Sequence, residues 1–266
     1  MEGKFFKIFI LCFLIVLGGC TSDKQDDQSN RKIQANIELT ISAAASLEDA
    51  FIEIKPFFEE EHKNIKLYFN FGGSGALQKQ IIQGAPVDLF FSAAEDKFDE
   101  LVAQGIIAED HSMDRLENTL VLIIPKESNN PIEGFNELAN LGDRKMALGT
   151  PEVVPAGNYG RQALEYLNLW DQAQGNIVFA KDVRQVLTYV ETGNVDAGIV
   201  YKTDAKSSNK VRVVAEANSS SHDPIIYPVG IIKTTKHLKE AELFYQFLQE
   251  KKAAEVFVKY GFNVLD

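Results

Sequence analysis

The sequence predicts an α/β fold in two lobes, each a parallel-rich sheet flanked by helices, with a hinge and a central cleft between them. Three observations carry this. Strand-like and helix-like segments alternate along the chain, the pattern of parallel sheets joined by helical crossovers. The alternation runs through several units, breaks, and restarts near Thr119. The last segments contain no β-α unit of their own to complete, so the chain is expected to return to the first lobe.

Period-two and period-3.6 hydrophobic patterns define the elements. The first run reads as strand at residues 37–41, helix at 47–61, strand at 65–71, helix at 76–83, strand at 88–92 and helix at 97–104, ending at Gly105. The second reads as strands at 119–124 and 145–148, helix at 159–167, strand at 177–180, helix at 183–191 and strand at 197–201. The tail is strand-like over 225–232 and helical over 236–249 and 253–260. The expected boundaries are 37–119 for the first part of lobe 1, 120–225 for lobe 2 and 226–266 for the return segment of lobe 1. A discontinuous lobe with two crossovers is how a hinged protein closes around a small solute.

Residues 1–19 read as a lipoprotein signal peptide. Lys4 and Lys7 precede an apolar run over 8–17, and Gly18 and Gly19 stand before Cys20. A run of roughly ten apolar residues is too short to span a bilayer, which takes about 20. A conventionally cleaved signal or a buried strand is the alternative. Cys20 is expected to carry the lipid, holding the protein on the outer side of the cell membrane, and residues 20–36, almost wholly polar, to form a disordered tether. The other cysteine, Cys12, falls inside the signal, so no thiol remains for a disulfide, a metal or a nucleophile.

The chain carries 27 Lys+Arg against 38 Asp+Glu, a formal net charge of −11. An acidic surface without a basic cluster argues against nucleic acid, because phosphate contacts demand grouped Lys and Arg. His62, His111, His222 and His237 are scattered with no helical i, i+4 pair, which argues against a metal centre. No cofactor is expected, no internal repeat is evident, and the protein is expected to act as a monomer.

The chemistry is concentrated where strands end. The loop Phe71-Gly72-Gly73-Ser74-Gly75-Ala76-Leu77 joins a strand to a helix and holds neither lysine nor arginine. Such a turn is expected to aim bare amides and a helix dipole at an anion held without formal positive charge. Four further strand ends carry Ser42-Ala43-Ala44-Ala45-Ser46-Leu47, the stretch from Pro151 to Gly160, Lys181-Asp182-Val183-Arg184 and Tyr201-Lys202-Thr203-Asp204-Ala205. Plainer roles exist for each. Ser46 opens a Ser-Leu-Glu-Asp capping box, Asp182 reads as an N-cap, Ala156 and Val183 offer no side-chain chemistry, and Tyr201 suits a core tyrosine with a satisfied hydroxyl.

The ordered set AASL, GGSGAL with QGAPVDLFFSA behind it, PEVVPAGNYG, DVRQVL and GIVYKTDA, ending in Tyr260-Gly261-Phe262, resembles the molybdate-binding proteins of bacterial molybdate ABC importers over nearly the whole chain after the tether. The resemblance implies the two-lobed periplasmic-binding-protein fold of type II, molybdate or tungstate as ligand, and delivery to a membrane permease. It implies hydroxyl and amide donors from Ser46 and Ser74, backbone amides from Ala156 and Val183, and a phenol donor from Tyr201. Gly75 and Ala76 occupy positions open to Ser or Thr in relatives, which removes a hydroxyl but no amide. A set made only of donors suits a fully deprotonated tetrahedral dianion, whereas hydrogen phosphate also wants an acceptor.

Two alternatives stay open in the sequence. Sulfate or another tetrahedral oxyanion differs from molybdate in radius, which is not readable here. A serine hydrolase would use Ser74 in a sequence close to G-x-S-x-G, with Asp196 followed by His222 or His237. The fifth position is Ala76, the turn follows an early strand, and no HGGG-type loop is present.

Overall fold

The structure, a computed structural model, describes residues 36–129 and 132–265. The expected signal peptide, Cys20 and nearly all of the expected tether lie outside those residues.

Apolar β-branched and aromatic runs form the centre of the first sheet. Strand β1 (Ile37–Ala44) pairs in parallel with β2 (Ile65–Gly72) on one side and with β3 (Leu89–Phe91) on the other. Helices α1 (Glu48–Glu61), α2 (Ser74–Ile82) and α3 (Glu95–Ala103) follow these three strands in turn, and β4 (Ile107–Glu117) comes next. The chain then enters the second sheet with β5 (Leu120–Pro125), β6 (Met146–Gly149), α4 (Pro155–Tyr166), α5 (Trp170–Ala173), β7 (Ile177–Ala180), α6 (Val183–Glu191), β8 (Ala197–Tyr201), α7 (Lys202–Lys206) and β9 (Val211–Glu216). It returns through β10 (Ile226–Ile232), α8 (Leu238–Phe247), α9 (Lys251–Tyr260) and β11 (Asn263–Val264). The strand orders are β11-β4-β10-β3-β1-β2 and β7-β6-β8-β5-β9.

Both sheets are mixed, which the simple β-α rhythm did not anticipate. The expected parallel pairs are present, β6 with β7 and β8 as well as those around β1. Strand β10, however, runs antiparallel to β3 and β4, and β5 antiparallel to β8 and β9. Parallel neighbours need a long crossover, usually a helix, and β5 and β10 are the strands by which the chain steps from one sheet into the other. The two crossings lie side by side, with the N–H of Asn118 donating to the carbonyl of Ile225 at 3.1 Å.

Aromatic packing fixes the tail against the first sheet. Phe51 of α1 stacks on Phe69 of β2 with ring centroids 5.0 Å apart and meets Phe244 of α8 and Phe257 of α9, each at 6.1 Å. Buried aromatic pairs of this kind add about 0.5–1.5 kcal/mol each beyond the area they cover. Gly261 closes α9 in the left-handed conformation, φ 98°, the usual glycine terminator.

Candidate functional site

The carboxyl ends of β1, β2, β6 and β8 and the starts of α2, α4 and α6 meet around one small cavity of about 10 Å³. Pockets for drug-sized molecules occupy roughly 300–1,000 Å³, so no drug-sized solute fits here. Ser46, Ser74, Ala156, Val183 and Tyr201 all line it, together with Gly73 and Ala93. Two of the five come from the first sheet's loops and three from the second's.

Each is held by local chemistry. Ser46 sits in a single 3-10 turn, Ala45–Leu47, ahead of α1. The capping box expected for it does not form: the N-cap of α1 is Leu47, without a side-chain cap. The Ser46 hydroxyl instead lies 2.9 Å from the hydroxyl of Tyr227. Ser74 is the first residue of α2, and its Oγ accepts the Ala93 N–H at 2.9 Å. Ala156 follows Pro155 in the first turn of α4, and Val183 begins α6; amides in a first turn have no partner within their own helix. Asp182 caps α6 by accepting the Gln185 N–H at 2.8 Å, as its position predicts, which keeps its carboxylate occupied. Tyr201 ends β8 with its hydroxyl 3.4 Å from the Ala93 carbonyl. Burial pushes its phenol well above the ordinary range, so it remains a protonated donor.

The glycine-rich loop works differently from the expectation of bare amides. The Gly75 N–H donates across the cleft to the Val153 carbonyl at 3.0 Å, and the Ala76 and Leu77 amides go to the Gly73 carbonyl at 2.9 and 3.1 Å. The glycines are required by contact: a Cβ on Gly73 would stand 2.8 Å from the Val153 carbonyl oxygen, and one on Gly75 2.9 Å from the Val153 Cα. They let the two halves of the cleft touch.

Arg184 is the residue that sequence reasoning passed over, although it directly follows Val183. It spans the cleft. Its Nη2 pairs with Asp49 of α1, its Nε lies 3.3 Å from the Ala45 carbonyl and 3.3 Å from Asp204 Oδ1, and its Nη1 donates to Ser207 at 2.7 Å. The Asp204 contact is ionic without hydrogen-bond geometry at Oδ1. Asp204 is fully buried, and burial raises its carboxyl to about 6 against the opposing pull of Arg184. Two carboxylates therefore absorb the guanidinium charge, and the cavity wall stays close to neutral.

The hydrolase arrangement is not built. Ser74 meets a backbone amide rather than an imidazole. His222 lies beside Tyr159 with Nδ1 2.7 Å from the Asp223 carbonyl, and Asp196 accepts the Lys145 N–H at 2.8 Å. Among the described residues no three His, Cys, Asp or Glu side chains are grouped to hold a metal ion.

Fold and cavity together define the two-lobed architecture of a solute-binding protein. Residues 39–263 match the family described as bacterial extracellular solute-binding protein, and the chain belongs to it. It is 53% identical over 262 residues, 98% of each chain, to the putative ABC transporter substrate-binding lipoprotein YvgL of Bacillus subtilis. It is 36% identical over 232 residues to the molybdate-binding protein ModA of Haemophilus influenzae, covering 86% of this chain and 91% of that one. Among solved structures, the substrate binding domain of a putative molybdenum ABC transporter from Clostridium difficile superposes with a TM-score of 0.66 at 39% identity, covering 86% of this chain and all of that one. The Azotobacter vinelandii periplasmic molybdate-binding protein superposes with a TM-score of 0.77 at 24% identity, over 86% of this chain and all of that one, a likeness of fold. No helix among the described residues is long and apolar enough to cross a membrane.

Proposed function

We propose that this protein is the molybdate or tungstate receptor of an ABC importer, anchored by lipid at Cys20 and handing its ion to a membrane permease. The observation that carries the reading is the small cavity lined by Ser46, Ser74, Ala156, Val183 and Tyr201, every one a source of neutral donors. The names of the relatives support the same solute and the same transporter class.

The physical case is a balance. Hydrogen bonds to a charged partner contribute about 1.5–3 kcal/mol each. Roughly six to eight of them offset the desolvation of a dianion and leave about −10 to −12 kcal/mol, a submicromolar to nanomolar affinity. A neutral wall keeps release possible, and contact between the two halves supplies the dehydration. In this reading residues 37–119 and 226–266 make one lobe and 120–225 the other, the protein acts as a monomer, and residues 20–36 are the tether.

Titration of the purified protein tests it. Molybdate and tungstate are expected to raise the melting temperature, since ligand at 100 times its dissociation constant adds about 2.7 kcal/mol; sulfate at equal concentration is expected to do far less. A melting curve unmoved by all three overturns the proposal, and an equal response to sulfate replaces molybdate with a general tetrahedral oxyanion.

A further inference from the structure

Behind Ser46 runs a chain of hydrogen bonds whose direction is fixed at its far end. The Thr119 N–H donates to Asn118 Oδ1 at 2.9 Å. That settles which end of the amide faces the other way: Asn118 Nδ2 points at Thr203 Oγ1, 2.9 Å away, and at Tyr227 Oη, 3.1 Å away, one proton for each. Tyr227 is fully buried and its Oη receives the Asn118 proton, so its own proton needs an acceptor. Ser46 Oγ stands 2.9 Å away. Tyr201, whose ring lies 5.8 Å from that of Tyr227, has its own hydroxyl directed at the Ala93 carbonyl 3.4 Å away, and with Asn118 donating to Tyr227 Oη the other partner of that oxygen is Ser46 Oγ.

We propose that Tyr227, held by Asn118, is a positioning residue that fixes the Ser46 hydroxyl as a donor into the cavity, and thereby makes the site prefer fully deprotonated oxyanions to those that keep a proton. The inference rests on the oxyanion-receptor reading above. A serine hydroxyl rotates to suit its partners and acts as donor or acceptor. With Tyr227 donating to Oγ, the Ser46 proton turns away from Tyr227, and the cavity is where it is left to go. Ser74 is treated in the same manner by a separate device, the Ala93 N–H donating to its Oγ. Both serines thus have an acceptor site filled by the protein. An ion that brings an O–H of its own finds donors facing it, and one proton against another costs affinity. Tyr227 does not line the cavity; it acts through Ser46.

The test is a double-mutant cycle read by calorimetry at neutral pH, with molybdate and hydrogen phosphate as the two probes. Tyr227→Phe is expected to weaken molybdate about tenfold in the wild-type background and by less than about twofold in the Ser46→Ala background, because the hydroxyl through which it acts is gone. Equal losses in both backgrounds overturn the relay and leave Tyr227 a packing residue. Asn118→Asp is a second probe, independent of whether Tyr227→Phe folds. Its carboxylate takes the Tyr227 proton and reverses the chain, so the preference for molybdate over hydrogen phosphate is expected to fall by at least about tenfold. An added charge alone would weaken both dianions in proportion, and an unchanged ratio overturns the proposal. Wild-type protein that binds no oxyanion removes the receptor reading itself and this inference with it; wild-type binding with an additive cycle removes only the inference.

Discussion

The N–H of Gly75 donates to the carbonyl of Val153 at 3.0 Å, tying the start of α2 to the loop before α4 across the mouth of the cavity. A Cβ at Gly75 would meet Val153 Cα at 2.9 Å. Gly75→Ala is therefore expected to hold the loops apart at a cost of about 1–3 kcal/mol. Molybdate affinity should fall accordingly, with a smaller change in the melting temperature of ligand-free protein. Equal changes in both would make the contact part of the core instead of the closing surface.

Tyr201→Phe removes one donor from the cavity and is expected to weaken molybdate binding by roughly 1–3 kcal/mol. Tyr166, more than half exposed on the outside of α4, is the comparison: Tyr166→Phe should leave affinity unchanged. Isothermal titration of the two variants separates a site phenol from a general effect of losing a hydroxyl.

Arg184→Ala takes the counter-charge from Asp204, which is fully buried. Removing one partner of a buried pair costs about 3–5 kcal/mol because the other charge is left behind. Adding Asp204→Asn to Arg184→Ala should recover part of that loss. Urea unfolding of the wild type, the single variant and the double variant measures it.

Asp204 also implies a pH dependence of definite sign. Its carboxyl titrates at about 6 in the folded protein against an ordinary 3.8. Between those values the folded form keeps a proton that the unfolded chain has released, so this residue makes stability fall as pH rises from about 4 to 6. Burial raises Glu95 and Asp114 as well, with like-charged neighbours adding to it, so the readable quantity is the difference between wild type and Asp204→Asn. The variant should show a flatter slope across that interval, and identical slopes would count against the raised carboxyl.

How much of this was legible beforehand depends on how strongly each segment expresses its period. The buried parallel strands β1, β6 and β8 and the amphipathic α6 sit within a few residues of where hydrophobic patterning puts them. Strand β4 escaped, since Glu109, Asp110, Asp114, Arg115 and Glu117 interrupt it; β11 covers only its Leu116–Glu117 end, and a largely uncovered edge tolerates charge. Strand β9 is the outer strand of its sheet and carries an exposed face for the same reason. At the site, the five lining positions were readable through family resemblance as an ordered set. Their mechanics were not. The glycines of the second loop looked like an anion cradle and serve a contact with Val153, 78 residues beyond Gly75, and the role of Tyr227 depends on partners 181 and 109 positions distant. Local pattern carries no information about such meetings.

The paired crossings at Asn118 and Ile225 have a consequence for anything that docks on this receptor. Two straps hydrogen-bonded to one another resist twisting, so in the proposed receptor the halves are expected to part chiefly by bending along that line, like the covers of a book along its spine. On the proposed function, the separation of the outer rims then reports, as a single length, whether an ion is inside, and a permease that grips both rims measures loading without ever reaching the ion.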